Sequence, residues 1–196
     1  MYVPDHFSPA DADSFSFISQ FSFGELISAV EGKSFCTHLP FLFDDKNIFL
    51  LCHIAKANPQ WREIGGQEVL AVFHGPHGYI SPSWYDKAGV PTWNYQVVHV
   101  YGKASVFEDK ERMSDMVENL SAAHEAGSEN PWNGEYQARM LDAIIGIEIE
   151  ITEVQAKHKL SQNRTDNERK NIIAELQGLG NTILADAMID ALKEKG

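Results

Sequence analysis

The segment Gly146-Ile-Glu-Ile-Glu-Ile-Thr-Glu-Val154 alternates apolar and polar residues from Ile147 to Thr152. Only a period of two explains that pattern, because successive side chains of a strand point to opposite faces. A helix at 3.6 residues per turn would scatter these isoleucines around its circumference. The segment is therefore a strand with one face in a core and one in water, as in an antiparallel sheet. Glu148 and Glu150 fall on the solvent face, and the strand is expected to continue through residues 155–160.

Two further strands are expected at residues 68–74, a short apolar run, and 95–107, which is long, β-branched and aromatic. Between them, Tyr79-Ile-Ser-Pro-Ser-Trp-Tyr85 and Val90-Pro-Thr-Trp-Asn-Tyr95 bring hydroxyls, an amide and large π faces close together. Pro76, Pro82 and Pro91 stiffen this excursion by fixing φ and removing donors. Such a composition fits a place where a planar ligand lies, and equally an aromatic corner of a barrel core.

The remaining chain supplies shorter elements. Residues 1–11 read as an extended arm. Residues 11–30 read as a helix with Phe15, Ile18, Phe21 or Phe23, Leu26, Ile27 and Val30 on one face and Gly32 as its stop. A strand over 34–43, broken by Pro40, and one over 48–55 flank the turn cluster Asp44-Asp-Lys-Asn47. Together they read as a hairpin with His38 and His53 on its facing strands. Residues 56–62 suggest a short helical turn. A helix over 109–126 buries Met113, Met116, Val117 and Leu120; a loop at 127–134 and a short helix at 135–145 follow. Residues 166–195 read as two helices divided near Gly178 and Gly180. Short strands interspersed with helices argue for a mainly β chain, an antiparallel barrel with peripheral helices. No strand leads into GxGxxG or GxxxxGK[ST], so doubly wound nucleotide folds lose their main support. The expected division is a barrel over 1–160 and a C-terminal helical segment over 161–196, packed on the barrel or on a dimer partner.

Charge and cysteine usage narrow the function. With 16 basic against 28 acidic residues the formal net charge is −12, a surface that repels nucleic acid phosphates. Cys36 and Cys52 fit neither a disulfide scaffold nor a zinc motif; buried free thiols in a reducing compartment are expected. The opening MYVPDHFSPADAD lacks a leader's basic and apolar regions, and no apolar run approaches about 20 residues. A cytoplasmic protein with no membrane contact is expected.

Seven short motifs then occur in one order along nearly the whole chain: Tyr2-Val-Pro-Asp-His-Phe7, Thr37-His-Leu-Pro-Phe41, His53-Ile-Ala-Lys-Ala-Asn-Pro-Gln-Trp61, Phe73-His-Gly-Pro-His77, the two aromatic motifs above, and Lys159-Leu-Ser-Gln-Asn-Arg164. On these residues the chain resembles the PaiB-type family of FMN-binding negative transcriptional regulators. The resemblance implies an FMN-binding split β-barrel related to pyridoxamine-phosphate-oxidase-like proteins. It also implies a homodimer with FMN in a cleft at the dimer interface, and a role in repression.

FMN asks for cations at its phosphate, polar groups at the pyrimidine edge and apolar or aromatic packing on the ring faces. Lys56, Lys159 and Arg164 are the candidate cations; for the last two the alternative is a solvated helix start, with Asp166 pairing Arg164. Asn58, Ser81, Ser83, Asn94, Gln162 and Asn163 are candidate polar contacts. His38 and His53 reach either the ligand or backbone carbonyls of the core. Trp84, Tyr85, Trp93 and Tyr95 wall the ring or fill the interface. His74-x-x-His77 has neither helical spacing nor an acidic partner, so no metal is expected. A haem reading rests on His124 or His158, which nothing marks. Without a nucleophile elbow or a Cys–His pair, the alternative to a regulator is a flavin-dependent oxidoreductase passing hydride between a nicotinamide nucleotide and a small acceptor.

Overall fold

The computed structural model describes residues 1–9, 11–44, 46–132 and 138–193. Ala10 of the expected arm, Asp45 of the expected turn, 133–137 of the expected loop and helix, and the end of the last helix from 194 lie outside the described residues.

In chain order the elements are α1 (Asp11–Gln20), β1 (Phe23–Val30), β2 (Lys33–Pro40), β3 (Leu42–Phe43), β4 (Phe49–Ala55), α2 (Trp61–Ile64), β5 (Glu68–Ile80), β6 (Thr92–Phe107), α3 (Lys110–Glu125), α4 (Ala138–Leu141), β7 (Ile144–Lys159), α5 (Asp166–Gly178) and α6 (Thr182–Lys193). The strands form one sheet in the order β2-β1-β5-β6-β7-β4-β3. The described residues group into two compact units, each assembled from separated pieces of chain. The first comprises Met1–Phe17, His74–Val98 and Gln155–Gly196, the second Ile18–Phe73 and His99–Val154.

In the second unit the helix expected over 11–30 ends at Gln20, and Phe23–Val30 is a strand. Its burial alternates, with Gly24, Leu26, Ser28 and Val30 inward, a period of two that scattered phenylalanines concealed in the sequence. Gly24 is required there, since a Cβ would lie 2.6 Å from the Val72 carbonyl oxygen. Glu31 and Gly32 take φ of 51° and 72°, the paired left-handed values of a two-residue type I′ hairpin. Gly32 thus closes a hairpin rather than stopping a helix, and Val30 stands opposite Lys33.

That turn also overrides the expected hairpin between residues 34–43 and 48–55. Lys33–Pro40 pairs with β1; only Leu42 and Phe43 pair with β4, opposite Leu51 and Leu50. Pro40 ends β2, and the next amide, Phe41, donates to the Ser22 carbonyl at 2.9 Å. His38 therefore faces Glu25, and His53 faces Gly146 on β7. Ile147 and Ile149 of β7 are fully buried, as the alternation predicts, opposite Cys52 and Leu50 of β4, and Ile145 is buried with them. Ile144 and Ile145 belong to this strand, opposite Ala55 and Ile54, rather than to the expected helix. Cys52 is buried, but Cys36 is exposed, contrary to expectation, because it lies on an outward position of β2. α3 forms as expected, with Asp109 accepting from the Arg112 amide at 2.9 Å and Met113, Met116, Val117 and Leu120 buried.

In the first unit both strands flanking the aromatic excursion run further than expected, leaving only residues 81–91 between them. Pro76 lies within β5. α5 opens on a capping box between Thr165 and Glu168. Ile172, Leu176, Leu184 and Met188 of α5 and α6 share a core with Ile80, Tyr85 and Leu160. Gly78 permits that packing, as a Cβ would stand 2.9 Å from Leu184 Cδ2. Leu179, between the two helices, and Ile183, in the first turn of α6, are exposed although apolar.

Candidate functional site

In the first unit, β5 and β6 bring His74, Gly75, His77, Trp93, Tyr95, Gln96 and Val97 around a cleft of about 290 Å³. Trp93, Tyr95 and Val97 hold alternate positions of one strand, so the pleat delivers all three to one side. The His77 and Trp93 ring centroids are 5.8 Å apart, and Tyr79 meets Trp93 edge-on at 6.4 Å. Trp93 remains 51% exposed, a large π face without cover. Gly75 makes room for Phe17, whose ring a Cβ would meet at 2.7 Å. Phe17 in turn lies 5.2 Å from the His158 ring, and His158 Nδ1 is 3.2 Å from Gln96 Nε2.

Two lysines of β7 attach to the same stretch of β6. Lys159 donates to Thr92 Oγ1 and, at 2.8 Å, to the Trp93 carbonyl. Lys157 Nζ lies 5.7 Å from the Tyr95 ring centre and donates to the Tyr2 carbonyl at 3.0 Å. Burial and then the Lys157 charge hold the Lys159 ammonium below the usual lysine range.

The stretch after Lys159 is braced by its own polar side chains. Gln162 accepts from the Leu160 amide at 2.7 Å and donates to the His158 carbonyl at 2.5 Å. Ser161 holds a left-handed φ of 63° while exchanging hydrogen bonds with fully buried Asn94 at 2.9 and 3.1 Å. Asn94 and Gln162 thus direct hydrogen bonds into their own chain. Asn163 is exposed. Arg164 stacks 3.9 Å above the Tyr85 ring and stands 3.8 Å from Glu168; Asp166, its expected partner, instead lies 3.9 Å from Arg169. Ser81 accepts from the Ser83 amide at 3.2 Å, with the two hydroxyls 2.8 Å apart, and Trp84 packs half-buried on the helical core.

The other candidates lie in the second unit. His38 is 3.7 Å from Glu25 on the neighbouring strand. His53 is half-buried, its Nδ1 has no hydrogen-bond partner among the described residues, and burial lowers its pKa. Lys56 lies 3.4 Å from Glu108, beside a smaller cleft where Lys110 meets Asp142 at 2.7 Å. Asn58 donates to Thr37 Oγ1 at 3.0 Å and accepts from the Gln60 amide at 2.9 Å. Gln60, which sequence reasoning passed over, is fully buried and ties this corner to β1 and β2. Gln96 and Lys157 were missed as well. The Lys-x-Lys spacing on a strand already recognised as such was the available signal for Lys157.

Among the described residues no three metal-ligating side chains gather, and none of their helices is long and apolar enough to cross a membrane. The residues of the cleft do fit a flavin. Ring faces are open on Trp93, and cations attached to neutral oxygens stand next to it, the donor set that a planar group with an anionic tail requires.

The profile of the family described as "Putative FMN-binding domain" matches residues 1–153. The protease synthase and sporulation protein PAI 2 of Bacillus subtilis is 38% identical, covering 100% of both chains. Among solved structures, the flavocytochrome Anf3 from Azotobacter vinelandii superposes with a TM-score of 0.67 at 15% identity, over 86% of this chain and 78% of that one. The FAD and heme binding protein from Mycobacterium smegmatis gives 0.66 at 11% identity, over 85% and 79%. The fold is a flavin-binding split β-barrel with added helices, and the chain belongs to the FMN-binding family of the PaiB type.

Proposed function

We propose that this protein is a homodimeric FMN-binding regulator that acts negatively on transcription. The observation that carries the reading is the aromatic cleft with Trp93 half open and Lys159 attached to its wall. The flavin ring lies against Trp93 and His77. Lys159 and Asn163, whose side chains are not sealed in the core, serve the ribityl and phosphate end, and Arg164, stacked on Tyr85, holds the segment that carries them. Asn94, Gln162, Ser81 and Ser83 act indirectly by holding the segments that present these groups. When bound, FMN supplies a redox-active chromophore; the protein binds it, orients it and limits water at its face.

The regulatory part is supported by the relative whose name joins protease synthesis to sporulation. The net charge of −12 works against direct reading of a duplex, so repression proceeds through a protein partner or a change of ligand state. The visible spectrum of protein purified without added cofactor, followed by FMN titration, tests the first claim. A flavin band or saturable binding is expected; neither appearing refutes it. Reduction of the bound flavin by a nicotinamide nucleotide with turnover would replace the regulator by an oxidoreductase. Light scattering of the purified chain tests the dimer, and a monomer at micromolar concentration refutes it.

A further inference from the structure

Most described cations whose partners are resolved face a carboxylate: Lys56 faces Glu108, Lys110 Asp142, Arg112 Glu148, Arg164 Glu168, Arg169 Asp166 and Lys193 Asp190. That is the expected state in a chain with 28 acidic and 16 basic residues. Lys157 and Lys159 depart from it. They sit two residues apart on β7, hence on one side of the strand, and the oxygens they bind carry no charge: the Tyr2 carbonyl, the Trp93 carbonyl and the Thr92 hydroxyl. Two like charges held together with no carboxylate partner among the described residues raise the energy of the unliganded protein. An anion arriving there relieves that repulsion.

The donor inventory fits one class of anion. An ammonium has three N–H donors. Lys159 uses two on Thr92 and Trp93, and Lys157 uses one on Tyr2. Three N–H donors remain between them, and the Thr92 hydroxyl, accepting from Lys159, still has its own proton to give. A phosphate monoester presents three terminal oxygens as acceptors. The Tyr2 and Tyr95 ring centres lie 5.6 and 5.7 Å from Lys157 Nζ, and Tyr95 stands on the cleft wall with Trp93, whose carbonyl Lys159 holds.

We infer that Lys157 and Lys159, with Thr92, form the anion-binding end of the aromatic cleft and take a phosphate monoester carried by a planar ring. This rests on the cleft being the flavin site, and assigns a role to Lys157, which lies outside the seven sequence motifs. Arg164 then serves as a positioning residue, since its guanidinium is committed to Tyr85 and Glu168.

Equilibrium titration of the full chain with FMN and with riboflavin, followed by flavin fluorescence, separates the two ideas. Wild type is expected to bind FMN at least about tenfold more tightly than riboflavin, because only FMN brings charge-assisted hydrogen bonds. Lys157→Met and Lys159→Met each reduce FMN affinity by about tenfold and leave riboflavin affinity unchanged. Lys157→Met holds no β6 carbonyl, so an unchanged melting temperature shows that its effect is not misfolding. Equal affinity of wild type for both flavins overturns the lysine assignment and leaves the flavin site standing. Equal loss of both flavins in the variants also overturns it, because the lysines would then be holding the shape of the cleft. Binding of neither flavin by wild type overturns the underlying reading, and the inference with it.

Discussion

Replacing Gln60 probes the corner that joins α2 to the first hairpin. The side chain is fully buried and makes three hydrogen bonds: it accepts from Thr37 Oγ1 at 2.6 Å and donates to the Leu26 carbonyl at 3.1 Å and to Ser28 Oγ at 2.9 Å. Gln60→Ala removes all three and leaves buried partners behind. At about 1 kcal/mol for each bond, and about 1 kcal/mol more for the cavity, the loss is about 4 kcal/mol. For a chain of this length that corresponds to a fall in Tm of roughly 8–16 °C. Gln60→Glu should be worse, although nearly isosteric. It keeps an acceptor for Thr37 and one that the Ser28 hydroxyl can turn to meet, but sets an oxygen against the Leu26 carbonyl and buries a carboxylate. Urea unfolding followed by tryptophan fluorescence measures both variants. A double-mutant cycle with Thr37→Val should return a coupling of about 1 kcal/mol. A loss below about 1 kcal/mol for Gln60→Ala, or a tolerated glutamate, would show that the network does not carry the corner.

Two further perturbations test the electrostatics. Arg169 is fully buried, and its guanidinium nitrogens have no hydrogen-bond acceptor among the described residues; Asp166, 3.9 Å away, is 71% exposed. Arg169→Met should therefore raise stability by about 1–3 kcal/mol in thermal or urea unfolding, since desolvation outweighs the pairing; a destabilised variant refutes that balance. His53 has a folded-state pKa lowered from 6.5 by burial, so the unfolded chain binds its proton first. Its contribution is fully present above the unfolded value and is lost as pH falls from there toward the folded pKa. His53→Gln should flatten the dependence of Tm on pH across that window, and an unchanged slope would count against a neutral buried imidazole.

Local pattern made some elements legible and hid others. Residues 146–154 were readable because the alternation from Ile147 to Thr152 admits one period, and α3 because its cap and apolar stripe agree. Residues 23–30 were not. Phe21, Phe23, Leu26, Ile27 and Val30 satisfy a helical stripe about as well as a strand, and pairing with Lys33–Pro40 and with β5 decided between them. The misplaced hairpin had the same origin. Asp44-Asp-Lys-Asn47 is a good turn, but the positive φ values at Glu31 and Gly32 close a different and longer pairing.

The candidate site divides along a similar line. Residue types and motif order were enough to determine an aromatic, polar segment, a PaiB-type family and FMN as its cofactor, because those rest on which side chains are present. Tertiary structure alone decided which of them remain available. Asn94, Gln162 and Asn58 have the same donor and acceptor chemistry as Asn163, yet the first three meet Ser161, the Leu160 amide and Thr37, whereas Asn163 stays exposed. Lys157 gained its interest in the same way, because its contacts among the described residues are the Tyr2 carbonyl and aromatic rings rather than a carboxylate. The reason is physical: a side chain's identity is local, but its hydrogen-bond partners come from residues tens of positions away, and only folding brings them within about 3 Å.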